Sequence, residues 1–214
     1  MARVTIKATS ALSILAIWVA TIVTVAAEGR SWWIIIFAFL ATGAVGVSAW
    51  RSLGIARLVA ITGTWTGLAL AAGSDPGAAW ASAFAFLTTG AVVYSTMKKE
   101  ALVLGAGIAA AWLAVGIAVA AAAEADNVTW MCVFAFLTAG AIANSGGNVA
   151  RGGSAILWWS VTCAVVIIAG PSWAWLSVLA FVLTAASIGF GDFHLPTRLE
   201  WDLFDRDDDH GTLR

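Results

Sequence analysis

The sequence predicts an all-α integral membrane protein of eight transmembrane helices, arranged as four tandem parallel-repeat helical hairpins with short loops and an acidic C-terminal tail. Three observations predict it. Apolar residues run in stretches of about 20, the length that crosses roughly 30 Å of hydrocarbon. A Trp-initiated motif recurs along the chain. Basic residues gather in alternate loops. The composition agrees, with 61% hydrophobic and only 11% charged residues and a mean hydropathy of +0.92, where soluble domains carry about 25% charged residues.

The spans fall near 9–27, 32–50, 54–73, 77–96, 101–123, 128–146, 154–170 and 173–190. They form one transmembrane domain, 1–190, of hairpins at about 9–50, 54–96, 101–146 and 154–190, followed by a cytoplasmic tail at 191–214. The first span has features of a signal peptide: Arg3 and Lys7 ahead of an apolar core, and Val25-Ala26-Ala27 as a cleavage site. That core is long for a signal, and Trp18 takes a position that recurs in later hairpins, so the span is expected to stay.

The second, fourth and sixth spans share one motif. Trp33-Ile-Ile-Ile-Phe37-Ala-Phe39-Leu40-Ala-Thr-Gly43-Ala44 returns as Trp80-Ala-Ser-Ala-Phe84-Ala-Phe86-Leu87-Thr-Thr-Gly90-Ala91. It returns again as Trp130-Met-Cys-Val-Phe134-Ala-Phe136-Leu137-Thr-Ala-Gly140-Ala141, and in degenerate form from Trp175 to Ala186. Ser48, Ser95 and Ser145 follow the first three copies at one fixed distance, and the copies are 47, 50 and 45 residues apart. The odd spans carry a central tryptophan each: Trp18, Trp65, Trp112 and Trp159. Every unit starts and ends on the same side, so the units are parallel, and four hairpins around a central axis or a compact quasi-fourfold bundle is expected.

Charge gives the orientation. Arg3, Lys7, Arg51, Arg57, Lys98, Lys99 and Arg151 fall on one side, against Arg30 alone among the basic residues on the other. By the positive-inside rule both termini are cytoplasmic and the protein is a multi-pass protein of the cytoplasmic (inner) membrane. The opposite turns hold Glu28, Asp75, Glu124 and Asp126, a partial crown of carboxylates if the hairpins form a ring.

Gly43, Gly90 and Gly140 lie ten residues beyond the motif tryptophans, roughly 15 Å along a helix. At that depth a small residue lets a neighbouring backbone approach, the main attraction between helices in lipid. Gly63 and Gly67, with the Ala114, Ala118 and Ala122 series, offer matching small faces, and all five glycines are expected at helix contacts. The central tryptophans need acceptors for their indole N–H groups, because an unsatisfied donor in hydrocarbon is costly. Nearby threonines supply them if the indoles join helices. Otherwise Trp18, Trp65, Trp112 and Trp159 line a cavity for a flat or elongated apolar ligand.

No Asp, Glu, Lys, Arg or His lies in the interior of a span, which argues against ion-coupled transport, acid–base catalysis and a metal centre. The two cysteines, Cys132 and Cys163, read as small buried residues. The tail carries seven acidic residues, with Leu199, Trp201, Leu203 and Phe204 as an apolar patch suited to docking a cytoplasmic protein partner. A helix lying on anionic lipid would be basic. Nothing in the charge pattern suggests nucleic acid, and membrane lipids are the remaining partner.

A mid-helix Trp, a tight turn and a Trp-initiated second helix with a deep Gly are faintly similar to bacterial SPW-repeat membrane proteins. The tripeptide that names that family is absent from the outer turns, and Gly170-Pro-Ser-Trp173 only scrambles it. The resemblance implies no activity. The sequence therefore points to a non-enzymatic polytopic protein, an accessory or scaffold subunit of a larger membrane assembly. The competing reading is a conduit or carrier for a neutral or apolar small molecule, or a subunit binding an apolar cofactor or lipid.

Overall fold

Eight apolar runs become eight helices. A computed structural model describes residues 2–28, 32–49, 54–95, 101–122 and 129–187, and no strand occurs among them. The helices are α1 (Ala2–Glu28), α2 (Trp32–Ala49), α3 (Ile55–Ser74), α4 (Ser82–Tyr94), α5 (Leu102–Ala122), α6 (Thr129–Ala143), α7 (Val149–Ala169) and α8 (Leu176–Ala186). Five stretches are long and apolar enough to cross a membrane: Ala8–Ala26, Ile55–Ser74, Gly77–Tyr94, Leu102–Ala121 and Val149–Ala169. Trp33–Val47, Trp130–Ala143 and Pro171–Ala186 are shorter apolar helices.

Helix ends follow from local chemistry. Pro76 and Pro171 each open a short 3-10 segment leading into α4 and α8, positions where the missing N–H costs nothing and the fixed φ is already helical. The Asp75 carboxylate caps the first of these by accepting from the Gly77 N–H at 2.9 Å. The turn from α6 to α7 uses Gly146 and Gly147 at φ 64° and 103°, a region that side chains with a Cβ rarely adopt. Asn148 then caps α7 by accepting from the Ala150 N–H. That cap starts α7 at Val149, five residues before the expected start of the span, and brings Arg151 into its first turn.

The helices form two rows. The odd helices lie side by side in the order α1, α3, α5, α7, and the even helices in the order α2, α4, α6, α8, each odd helix also touching the even helix that follows it. Contacts between α3 and α5 run from Ala56 beside Gly105 through Gly63 beside Ala109 to Gly67 beside Trp112 and Gly116, so these two helices are parallel. Among the described residues the rows do not close: the helix pairs that pack together include neither α1 with α7 nor α2 with α8. This corrects the expected arrangement around a central axis, and the reason can be read on α5. Gly105 and Gly116 face α3, whereas Gly107 faces Gly152 of α7. Two residues turn a helix by about 200°, and eleven bring it back to within about 20°. The two small faces of α5 therefore point in opposite directions, and its neighbours are set in a line.

Candidate functional site

The interface between the rows is sealed by aromatic side chains. Trp65, Trp112 and Trp159 are fully buried, together with Ile17, Ile61, Leu68, Leu104 and Ile108. The Trp65 Nε1–H donates to Thr89 Oγ1 at 3.0 Å, and the Thr89 hydroxyl donates in turn to the Ala85 carbonyl. Trp159 donates to Thr138 Oγ1 at 3.1 Å. Trp112 Nε1 is buried without a hydrogen-bond partner. The cause lies in the motif: Thr89 stands nine residues after Trp80, and the equivalent residue after Trp130 is Ala139. Trp18 is only half-buried, because α1 ends the odd row and has a flanking odd helix on one side alone. None of the four tryptophans lines any of the cavities described below, and the indoles of Trp65 and Trp159 tie the rows together.

The two sets of glycines part company. Gly63 and Gly67 lie in the α3–α5 contact, where an added Cβ would collide with Ala109 and with the Trp112 carbonyl. Gly105, Gly116 and Gly152 are equally tight against the backbones of Ala56, Gly67 and Val103. At Gly43, Gly90 and Gly140 nothing among the described residues lies within 4 Å of where a Cβ would stand. The expectation that these three join helices is corrected: they open outward from the even row. Even helices are held apart instead by phenylalanines. Phe37 meets Phe86 at 5.8 Å between ring centroids, Phe84 meets Phe136 at 5.7 Å, and Phe134 meets Phe181 at 6.1 Å. In each pair the fourth residue after one motif tryptophan touches the sixth after the next. Rings of that size keep the backbones apart and leave the glycines below them as notches.

Apolar hollows lie among the described residues. One, about 760 Å³, lies along α1, α3 and α5, where Leu12, Leu15, Val19 and Val23 share its lining with Leu58, Thr62, Ala109 and Leu113. Helix α1 contains no glycine, so its bulky side chains stand off from α3. A second, about 420 Å³, runs between α6 and α8 past Phe136, Leu137, Gly140, Phe181 and Ala185 to Asn144 and Arg151. A third, about 300 Å³, lies at the other end of the same helices, among Trp130, Phe134, Pro171 and Trp175.

Arginines close one end of each of two helix pairs. Arg57 Nη2 donates to the Ser95 carbonyl at 2.8 Å, and Arg151 Nη1 to the Ala141 carbonyl at 2.7 Å. Both serve carbonyls at the C-terminal end of an even helix, which lack intrahelical partners and carry the negative end of the helix dipole. Each stands eight residues before its central tryptophan, and the four tryptophans are themselves 47 residues apart throughout. Those two regularities were available in the sequence as signals of equivalent depth.

Cys132 and Cys163 are free and buried, and no cluster of metal-ligating side chains occurs among the described residues. Of the turn carboxylates Asp75 caps the segment that leads into α4, and Glu124 and Asp126 lie outside the described residues. So do Leu199, Trp201, Leu203 and Phe204. Protein-family models, curated proteins and solved structures were each compared with the chain. None of them matches. The resemblance to SPW-repeat proteins thus has no family match behind it.

Proposed function

We propose that this chain is a non-enzymatic scaffold of the cytoplasmic membrane, a repeat-built eight-helix array with both termini in the cytoplasm. Its role is to present apolar surface to other components of a larger membrane assembly. The observation that carries this reading is the contrast between a sealed interior and an open exterior. Three fully buried tryptophans fill the space between the rows, while Gly43, Gly90 and Gly140 leave notches on the outer face of the even row. Insertion in lipid is supported by large apolar side chains on the outside, such as Ile168 at 85% exposed and Phe39 at 69%. Patches of that kind on both rows are unfavourable in water and ordinary against acyl chains. The basic residues at alternate ends support the orientation.

The test is assembly. Purified from native membranes in a mild detergent, the chain is expected to run with other polypeptides at a mass well above its own 22.1 kDa. A photocrosslinker at Tyr94, exposed on α4, is expected to capture one defined partner. A chain that runs alone and moves a neutral solute across vesicles would replace the scaffold with a carrier. A second reading, a lipid-binding subunit, is favoured by the α6–α8 groove with its arginine, and is compatible with the first.

A further inference from the structure

We infer that the groove between α6 and α8 is a site for one anionic phospholipid, its phosphate on Arg151 and part of one acyl chain along the groove. This rests on the proposed insertion in the membrane. Arg151 is 8% exposed, and it lines the cavity together with Asn144. One nitrogen of its guanidinium donates to the Ala141 carbonyl. Its Nε has no hydrogen-bond partner, and no acidic side chain among the described residues pairs with it. A guanidinium withdrawn from water without a counter-charge is costly and draws an anion. The first turn of α7, with Asn148 at its cap, adds the positive end of a helix dipole beside it.

The rest of the groove says what kind of anion. From Asn144 its floor runs past Gly140 to Phe136, with Phe181 and Ala185 on the other wall. Eight residues of helix span about 12 Å. A volume of about 420 Å³ over that length gives a mean cross-section of about 35 Å², against roughly 80 Å² for a helix 10 Å across. An extended hydrocarbon chain fits within such a slot. A soluble anion would use the arginine and leave the apolar wall empty. Basic pockets between membrane helices on the cytoplasmic side suit anionic lipid headgroups.

The test uses the full chain in detergent with added phosphatidylglycerol or phosphatidylcholine, counting retained lipids by native mass spectrometry. One phosphatidylglycerol is expected to be held about tenfold more tightly than phosphatidylcholine, whose choline cation offsets the charge of the same phosphate group. Arg151→Gln should bring the ratio close to one, and Arg151→Lys should keep most of it. Gly140→Leu fills the slot without touching the charge and should reduce phosphatidylglycerol retention to a similar extent, which keeps the test valid if Arg151→Gln misfolds. An unchanged preference in Arg151→Gln or in Gly140→Leu overturns the site. Displacement of the lipid by inorganic phosphate would mean a free-anion site and also overturns it. So would a preference that emerges only after residues 191–214 are removed, since the acidic tail would then be the occupant. Equal retention of both lipids defeats this inference alone, whereas a chain found outside the membrane fraction defeats the proposed function beneath it.

Discussion

The odd and even rows are made of similar residues and solve opposite problems. In the odd row, glycines on α3, α5 and α7 bring backbone against backbone, and Gly63, Gly67, Gly105, Gly116 and Gly152 all sit where a Cβ would collide with a neighbour. In the even row, phenylalanines set the spacing, and Gly43, Gly90 and Gly140 meet nothing within 4 Å among the described residues. A glycine in an apolar helix is therefore not in itself a contact. What decides is whether the residues beside it on the same face are small, as around Gly63 and Gly67, or bulky rings, as around Gly90. One row acts as a rigid spine and the other as an outward surface.

The sharpest way to break this comparison is to make the same change in both rows. Gly67→Ala drives a methyl into the Trp112 carbonyl and is expected to cost about 2–4 kcal/mol of stability as helices are forced apart. Gly90→Ala meets open space and is expected to gain about 0.5–1 kcal/mol, the helix-propensity difference. Thermal unfolding in detergent reads both, and equal losses would abolish the distinction between rows.

A smaller effect separates the tryptophans that tie the rows together. Trp65→Phe removes the bond to Thr89 and is expected to cost about 1–2 kcal/mol in lost hydrogen bonding and volume. Trp112→Phe deletes a donor that has no partner, so its cost should be lower by about 1 kcal/mol. Denaturation of the two variants side by side measures the difference. Should Trp112→Phe cost as much as Trp65→Phe, an unseen acceptor serves Trp112.

The smallest effect concerns the ring ladder. Phe84 touches Phe136 and stands edge-on to Trp80 at 5.4 Å. Phe84→Leu keeps most of the apolar volume and is expected to cost about 0.5–1.5 kcal/mol. If the ladder is what spaces the even helices, that variant should also shift crosslinking between cysteines placed at Gly90 and Gly140. Unchanged crosslinking would assign the spacing to the turns instead.

Much of the fold was legible in residue order. Apolar runs, Pro76 and Pro171 at segment starts, and glycines at the turns mark helix number and ends within a few residues, because these are local matters of hydropathy and backbone freedom. The early start of α7 was hidden, since Asn148 had to be recognised as a cap ahead of the polar Arg151-Gly-Gly stretch. Of the candidate site residues, Gly63 and Gly67 lie at a helix contact, and the threonine acceptors Thr89 and Thr138 serve Trp65 and Trp159. Gly43, Gly90 and Gly140 were misplaced because a motif gives depth along a helix and not the direction it faces.

That division is general to this chain. Sequence alone determined eight helices, the recurring motif and the positions of tryptophan and arginine along them, all properties of one helix at a time. Only the tertiary structure decided that the rows stay open, that the indoles close the interior and that the even-row glycines face outward. Those outcomes depend on how two faces of one helix are angled about its axis, as Gly105 and Gly107 of α5 show. Residues two apart in sequence there commit the chain to neighbours on opposite sides.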